Sequence, residues 1–568
     1  MGVTPVPRRL ATWSSVNCYL YWAPAQTDTF ITATLAPLME AFRDSGRIER
    51  WFFNRHAENG PHLRVTALGN DPAIKKELRE QLTHAVREAP YTVDDWGGQT
   101  YRRTAGGAGT PRGHGEVSEA LYEPETERYG GAAALLVAEE VFCRSSRIAA
   151  AVVEHTTGSA QRLAAATDFV LATAIALDLD LLDTVVWLRR GVISRRATSC
   201  STNPAPMTAL GLALDPSADQ SAAVARRWHD IQASRAAGTR LRDQWAACVR
   251  EARARLETGE EVSRARWLQV WSLQLHALLN RMGVLPEEER SLCWFIATSL
   301  RALEGVTDYF ADHPGAADRR YLDVSSFTPS RILWQQPRKA PGAAKPPQHS
   351  PFTESPLALK AEELQSMPLG EALTRRASGR GDLGGRTTSE SLGTLLWSAR
   401  IGHAEPDAHG HIRRPYPSAG GQYATQLRLI VRDVAGLNPG IYELSPQTRT
   451  LLPIGPAPAT EEIIAASMWF QPAIGPDRYI DVSTLPALIG LYVELGALRA
   501  VYGLRALRFA FLEAGHLAQN LALIAAATEL SLGMLGAFYD DIAHELFMLD
   551  GIDDVLAYLL PVGRLRFR

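Results

Sequence analysis

Two groups of polar residues in this 568-residue sequence have the types and spacing to do chemistry. The first lies early. Arg55 closes the run Trp51-Phe-Phe-Asn-Arg55, and His62 and Arg64 follow it. Glu125 and Arg128, in Tyr122-Glu-Pro-Glu-Thr-Glu-Arg-Tyr-Gly-Gly131, fall on one face of a helical turn. His276 and Asn280 share a face further on, with Arg281 beside them. Arginine forks hold carboxylates, a carboxylate holds an ammonium, and an imidazole moves a proton near neutrality. Read singly, each residue is bland: Glu125 and Arg128 make a local ion pair, and His276 is a satisfied core histidine.

The second group lies late. Arg376-Ala-Ser-Gly-Arg380 can direct Arg376, Ser378 and Arg380 at a phosphate and at the polar edge of a ring. Tyr416-Pro-Ser-Ala-Gly-Gly421 offers small residues that let backbone approach a planar ligand, with the Ser418 hydroxyl as a donor. Gly515-His-Leu-Ala-Gln-Asn520 is followed by Ser531-Leu-Gly-Met-Leu-Gly-Ala537, a loop whose backbone N–H groups can hold a ring from the other side. Pro561-Val-Gly-Arg564 adds a further arginine.

These residues need elements to hold them. Cys18 to Trp22 reads as a strand, and Phe30 to Phe42 as an amphipathic helix. Trp51–Arg55 and His62–Thr66 read as strands joined by the turn Glu58-Asn-Gly-Pro61. From about Gly131 the pattern is mostly helical, and Val262 to Met282 is one helix with an apolar stripe. Later come helices over Glu362–Thr374 and Ser389–Ser398, and strands over Gln426–Val431 and Gly440–Leu444. A long helix follows over Leu507–Glu529, and a last strand over Leu556–Val562. Gln335 to Pro356 is rich in Pro, Ala, Gly and Lys and reads as a linker. The expected division is 1–334, linker 335–356, and 357–568. The expected class is α+β in two parts: a mixed α/β domain with a largely helical second half, then an α+β domain.

A net charge of −3 gives no basic field for nucleic acid. The five cysteines are widely spaced with no CxxC pair, against both a disulfide framework and a zinc site, so no metal is expected. No apolar run opens the chain, and Phe169–Leu188 carries Asp178, Asp180 and Asp183, which suits a buried helix rather than a membrane span. A cytoplasmic location without membrane contact is expected.

The four late motifs, in this order, resemble the nitroreductase superfamily, and within it the azoline dehydrogenases of thiazole/oxazole-modified peptide pathways; Asn438-Pro-Gly-Ile-Tyr442 matches that subgroup too. The resemblance implies a homodimer with FMN at the subunit interface. By it, Arg376, Ser378, Arg380, Pro417, Ser418, Gly420, Gln519, Gly533, Gly536 and Arg564 contact the cofactor. The subgroup carries a Lys-Tyr pair before the long helix; here the pair is Val501-Tyr502, which leaves Tyr502 as the acid or base.

The segments WFFNRHAENGPHLR, YEPETERYGG and SLQLHALLNRMG resemble the elimination domain of lantibiotic-type dehydratases and its stand-alone thiopeptide relatives, over about residues 11 to 310. The resemblance implies that Arg64, Glu125, Arg128 and His276 carry elimination or glutamate recognition, with Arg55, His62 and Asn280 binding substrate. Thr66 stands where relatives often have another arginine, a gap that Arg55 would fill. The implied substrate is a ribosomal precursor peptide bearing azolines and glutamylated Ser. A separate tRNA-dependent glutamylating enzyme and a cyclodehydratase are implied as partners. Two other readings stay open: an early domain that only binds peptide, and a late domain that is a generic nitroreductase.

Overall fold

The computed structural model describes residues 12–70, 73–91, 93, 112–198, 216–234, 240–257, 263–301, 317–326, 355–401, 414–446, 448–476 and 478–565. The chain divides into two compact units: Met1–Val192 with Cys200–Val306, and Ile193–Ser199 with Thr307–Arg568. Almost all of the linker expected at 335–356 lies outside the described residues. Residues 317–326, assigned to the first part by sequence, group with the second unit.

The first unit opens with an antiparallel sheet of β1 (Thr12–Tyr19), β2 (Arg50–His56), β3 (His62–Gly69) and β4 (Val117–Ala120), in the order β2-β3-β1-β4. Side chains alternate across its faces. Val16, Cys18, Trp51, Phe53, Leu63, Val65 and Ala67 bury one face against the helices Ala36–Asp44 and Ile74–Glu88. Phe52 and Trp13 sit in a separate aromatic cluster with Tyr122, Tyr129 and Phe142. The β2–β3 turn needs left-handed backbone at Asn59 (φ 57°) and Gly60 (φ 116°). A Cβ on Gly60 would also meet the Tyr21 hydroxyl at 2.3 Å, so only glycine fits.

Three readings of this unit change. The first strand ends at Tyr19, short of Trp22. The expected Phe30–Phe42 helix starts at Pro24 and passes through a π turn at Ile31–Leu35 before continuing over Ala36–Asp44. Phe169–Leu188 is two helices, Ser159–Ala176 and Leu181–Thr198. The break falls at Asp178 (φ 58°), and the Asp180 carboxylate accepts the Asp183 N–H at 2.7 Å. The acids in that stretch end one helix and start the next.

Further helices of the unit are Ala132–His155, Ala218–Ala233, Leu241–Glu257, Arg264–Arg281 and Pro286–Arg301. Cys18, Cys143, Cys248 and Cys293 are buried, and burial pushes the Cys18 and Cys143 thiols up to about 12. Cys200 lies outside the described residues.

The second unit is built on a seven-stranded sheet in the order Ser531–Leu532, Asp554–Gly563, Ala487–Glu494, Thr425–Val431, Gly440–Ser445, Thr450–Gly455, Leu357–Ala358. The strands are β5 (Leu357–Ala358), β6 (Thr425–Val431), β7 (Gly440–Ser445), β8 (Thr450–Gly455), β9 (Ala487–Glu494), β10 (Ser531–Leu532) and β11 (Asp554–Gly563). On one face Leu427, Leu429, Ile489 and Leu491 meet Leu392, Leu395 and Leu396 of the Ser389–Arg400 helix and Leu517 and Leu521 of the Ala506–Ala527 helix. On the other, Ile430, Ile441 and Leu488 meet Leu546 and Phe547. A sheet covered on both faces by helices is the α+β class expected.

The helix expected over Glu362–Thr374 covers only Leu369–Arg375. Pro368 explains this, since the residue before a proline is driven out of helical backbone. Leu495–Ala527 is long and apolar enough, by length and composition, to cross a membrane. It folds as two helices, Leu495–Tyr502 and Ala506–Ala527, broken at Gly503 (φ 55°).

Candidate active sites

In the first unit the strand register sets out two polar rows. Asn17, Arg64 and Asn54 stand side by side, and beside them Tyr19, His62 and His56. The Arg64 Nε–H donates to the Asn17 side-chain oxygen at 3.0 Å. His62 Nδ1 lies 2.9 Å from the Gly60 carbonyl, so this nitrogen carries the proton and Nε2 is the acceptor. That Nε2 and the Nε2 of His56 are buried with no hydrogen-bond partner among the described residues. The two rings stack 5.3 Å apart at 14°. Burial, helped by Arg64 and His62, drives His56 down to about 3, and burial also lowers His62. Both rings are therefore neutral near pH 7, beside a fixed positive charge.

Asn280 and Arg55 have other work. The Asn280 amide accepts the Arg55 backbone N–H at 2.9 Å and donates to the Arg55 carbonyl at 3.0 Å. It clamps the Arg264–Arg281 helix to β2 as a strand partner would. The Arg55 guanidinium bonds one Asp28 oxygen at 2.6 Å, and Arg162 bonds the other at 2.6 Å. Arg55 pairs in register with Leu63, so by alternation it stands on the sheet face opposite Arg64. Arg55 is thus held away from the place where it was expected to stand in for the arginine missing at Thr66. Thr66 itself shares a buried 2.6 Å hydrogen bond with Ser15.

His276 is one-third exposed, and its Nδ1 lies 2.6 Å from the carboxylate of Glu289, which is 2 % exposed. A buried carboxylate behind one nitrogen fixes the ring and leaves Nε2 for proton transfer. Sequence reading missed Glu289; its only signal is its place among the acids of Pro286-Glu-Glu-Glu-Arg290.

Glu125 and Arg128 pair at 2.7 Å and are about half exposed, the local ion pair of the bland reading. Their turn is pinned to the Arg264–Arg281 helix, because Arg266 donates to the Glu127 carbonyl. That helix carries Arg266, then Val270 in the aromatic cluster, then His276, then Asn280 on β2. It links the Glu125 turn, His276 and the Arg64 sheet, although no side-chain contact joins those three among the described residues.

In the second unit the late residues fall into two groups. The first lies at the β10 edge of the sheet. Ser378 bridges to Leu532, the Gly379 N–H donates to the Leu532 carbonyl at 2.9 Å, and the Gly385 N–H donates to the Arg564 carbonyl at 2.8 Å. The Gly533 N–H is taken by the Pro561 carbonyl at 2.8 Å, so it is not available to a ligand. Gly536 is exposed, with open space where a side chain would stand. Arg376 is half-buried and its guanidinium has no partner among the described residues. Arg564 meets Glu529 at 3.2 Å in an exposed ion pair. Arg380 lies 4.8 Å over the Trp469 ring and bonds the Gly379 carbonyl.

The second group surrounds the start of the long helix. The Ser418 hydroxyl donates to Glu513 at 2.5 Å and accepts the Tyr423 N–H at 2.7 Å. Its one proton is spent on Glu513, so that hydroxyl is not the free donor expected of it. Glu513, 4 % exposed, also accepts the Thr425 N–H at 2.8 Å and so fixes both ends of the Ser418 loop. Gly420 has φ 57°, and a Cβ there would meet the Tyr502 hydroxyl at 2.2 Å. Tyr502 packs edge-on against Phe509 at 5.0 Å. Gln519 is exposed on the long helix, one residue before Asn520, which holds the Pro415 carbonyl at 2.9 Å.

These features define two classes of domain in one chain. The family model described as lantibiotic biosynthesis dehydratase C-term matches residues 13–300, and the nitroreductase family model matches 385–564. The chain belongs to the lantibiotic biosynthesis dehydratase C-terminal family and carries a nitroreductase-family domain after it. A curated Methanocaldococcus jannaschii protein named as a nitroreductase is 26% identical over 206 residues, which is 36% of this chain and 96% of that protein. Among solved structures, the pyridine synthase TbtD from thiomuracin biosynthesis is 19% identical and covers 51% of this chain and 98% of its own, with TM-score 0.40. The tRNA-dependent lantibiotic dehydratase MibB from Microbispora sp. 107891 is 20% identical with TM-score 0.33; the match covers 53% of this chain and 28% of MibB.

Proposed function

We propose that the protein is a bifunctional enzyme of ribosomal peptide maturation. The first unit eliminates glutamate from glutamylated Ser or Thr to leave dehydroalanine or dehydrobutyrine. The second oxidises thiazolines and oxazolines to thiazoles and oxazoles. The observation that carries this reading is the presence of both family matches, end to end, on one chain.

In the elimination, His276 Nε2 takes the α-proton, the C–C double bond forms as the Cβ–O bond breaks, and glutamate leaves with the electron pair on its carboxylate. Glu289 stabilises the imidazolium that results. Arg64 holds the departing carboxylate, on a sheet face where the neighbouring histidines are neutral and do not compete for it. Glu125 and Arg128 are half exposed and can open to receive the ammonium and carboxylate of the glutamyl group.

The second unit fits FMN. Arg376, unpartnered among the described residues, would hold the phosphate together with Ser378, which bridges to Leu532, and Arg564, whose backbone bridges to Gly384 and Gly385. Gly421, with open space where a side chain would stand, leaves backbone bare for a planar ring, while Gly420 is covered by the Tyr502 hydroxyl. When bound, FMN supplies a hydride acceptor. The azoline gives up a hydride from one ring carbon and a proton from its neighbour, and in this reading the Tyr502 hydroxyl relays that proton to water. The two groups of residues at separate ends of the unit suit a cofactor shared between two copies, the homodimer expected from the resemblance.

The test is direct. The purified chain should be yellow with an FMN spectrum. It should remove one glutamic acid and two hydrogens from a glutamylated, azoline-bearing peptide. Colourless protein that ignores added FMN and leaves the azoline intact would end the oxidase reading; an intact glutamyl ester would end the lyase reading.

A further inference from the structure

The segment 317–326 lies between the two family matches and belongs to neither. Its helix, Ala317–Val324, docks on the turn that follows Tyr502. The Tyr321 hydroxyl donates to the Leu504 carbonyl at 3.0 Å. Arg508 donates to the Leu322 carbonyl at 2.6 Å and to the Ser325 hydroxyl at 2.8 and 3.0 Å, and its guanidinium lies 5.8 Å over the Tyr321 ring. Arg505 donates to the Ser325 carbonyl at 3.3 Å. Ser325 is only 3 % exposed.

The Leu504 and Arg505 bonds hold Gly503–Arg505, a single turn of tight helix with left-handed Gly503 at its start, and the Arg508 bonds hold the first turn of the Ala506–Ala527 helix that follows it. Tyr502 is the residue immediately before it. Its hydroxyl has no hydrogen-bond partner among the described residues, so packing alone sets its position, against Phe509 and over Gly420. A side chain held by packing takes its place from the backbone beneath it, and that backbone is held by segment 317–326.

We propose that Tyr321, Ser325 and Arg508 are positioning residues for Tyr502: segment 317–326 is a brace that fixes the Gly503–Arg505 turn and with it the phenol over Gly420. This rests on the azoline oxidase reading above. It extends the working unit of the oxidase upstream of both the family match and the expected boundary at 357. A peptide-binding role for the segment would leave Tyr502 unaffected.

The experiment uses the full chain, with Arg508→Ala and the milder Tyr321→Phe, which removes one hydroxyl and preserves packing. Hydrogen exchange over Leu495–Arg505 should rise in Arg508→Ala, whatever the substrate. On azoline peptide, kcat should fall roughly 10- to 100-fold with KM and FMN content kept, as expected for a displaced catalytic group. Tyr321→Phe should fall less, and Arg508→Lys should recover part of the loss. In a Tyr502→Phe background, Arg508→Ala should add almost nothing, because both act through one phenol. Unchanged exchange, or a kcat loss of equal size with and without the phenol, overturns the brace. A wild-type chain that leaves azoline untouched while exchange still responds to Arg508→Ala refutes the oxidase reading and not the brace.

Discussion

The Tyr502 hydroxyl stands 2.2 Å from where a Cβ on Gly420 would be. Two residues singled out by separate motifs are thus in contact, and each limits what the other can become. Gly420→Ala should bring an overpacking cost of about 1–3 kcal/mol, and its φ of 57° adds roughly 1–2 kcal/mol of strain. Thermal melting should fall and FMN content should drop. Adding Tyr502→Phe removes the clashing oxygen and should recover part of the melting temperature. Additive losses in the double variant would show that the two residues are not in contact.

Glu513 is the anchor of the Ser418 loop, so Glu513→Gln should loosen that loop without opening the core. A charge-assisted hydrogen bond is worth about 1.5–3 kcal/mol. FMN affinity should weaken in a titration while the far-UV signal of the fold stays. Unchanged affinity would mean that the loop does not meet the cofactor.

At the sheet edge, Arg376 and Arg564 predict different outcomes. Arg376→Ala should weaken FMN binding by about 1.5–3 kcal/mol. Arg564→Ala should cost slightly less, because Arg564 must give up its ion pair with Glu529 to bind the phosphate, and that exposed pair is worth at most about 1 kcal/mol. Glu529→Gln should leave FMN affinity equal or higher. Tighter dependence on Glu529 than on Arg376 would contradict the phosphate assignment.

The neutral histidine pair gives the first unit a pH signature. His56 is driven from 6.5 to about 3 in the folded chain. Below 6.5 the unfolded chain takes up a proton that the folded chain refuses, so stability is full above that pH and falls as pH drops toward about 3. The slope per refused proton is about 1.4 kcal/mol per pH unit. Denaturant melts of the first unit's tryptophan signal between pH 7 and 4 should show this loss, and His56→Gln should flatten it. Constant stability over that range would place His56 in water.

Much of this architecture can be read from particular residues. Alternation in Trp51–Arg55 and His62–Thr66, with Asn59 and Gly60 between, yields the hairpin, whereas the Gln335–Pro356 composition does not mark the division between the units, because residues 317–326 already group with the second. β9 is harder to see, because Ala487–Val493 is buried on both faces and shows no alternation. A Cβ on its Gly490 would strike Phe547 at 2.7 Å, a constraint from far along the chain. The partners of the site residues were illegible for the same reason. Asp28 between Arg55 and Arg162, Glu289 behind His276 and Glu513 under Ser418 are all contacts between distant segments, and no spacing rule encodes them.

The most direct test of the central claim is mass spectrometry of a glutamylated, azoline-bearing peptide treated with three proteins: wild type, His276→Ala and Tyr502→Phe. Removing a positioned acid–base group typically costs about 10²–10⁴-fold in rate. The account predicts that wild type removes both the glutamic acid and the two hydrogens. His276→Ala should keep the glutamyl ester and still oxidise the azoline, while Tyr502→Phe should release glutamate and oxidise slowly. Loss of azoline oxidation in His276→Ala with FMN still bound would contradict two independent sites on one chain.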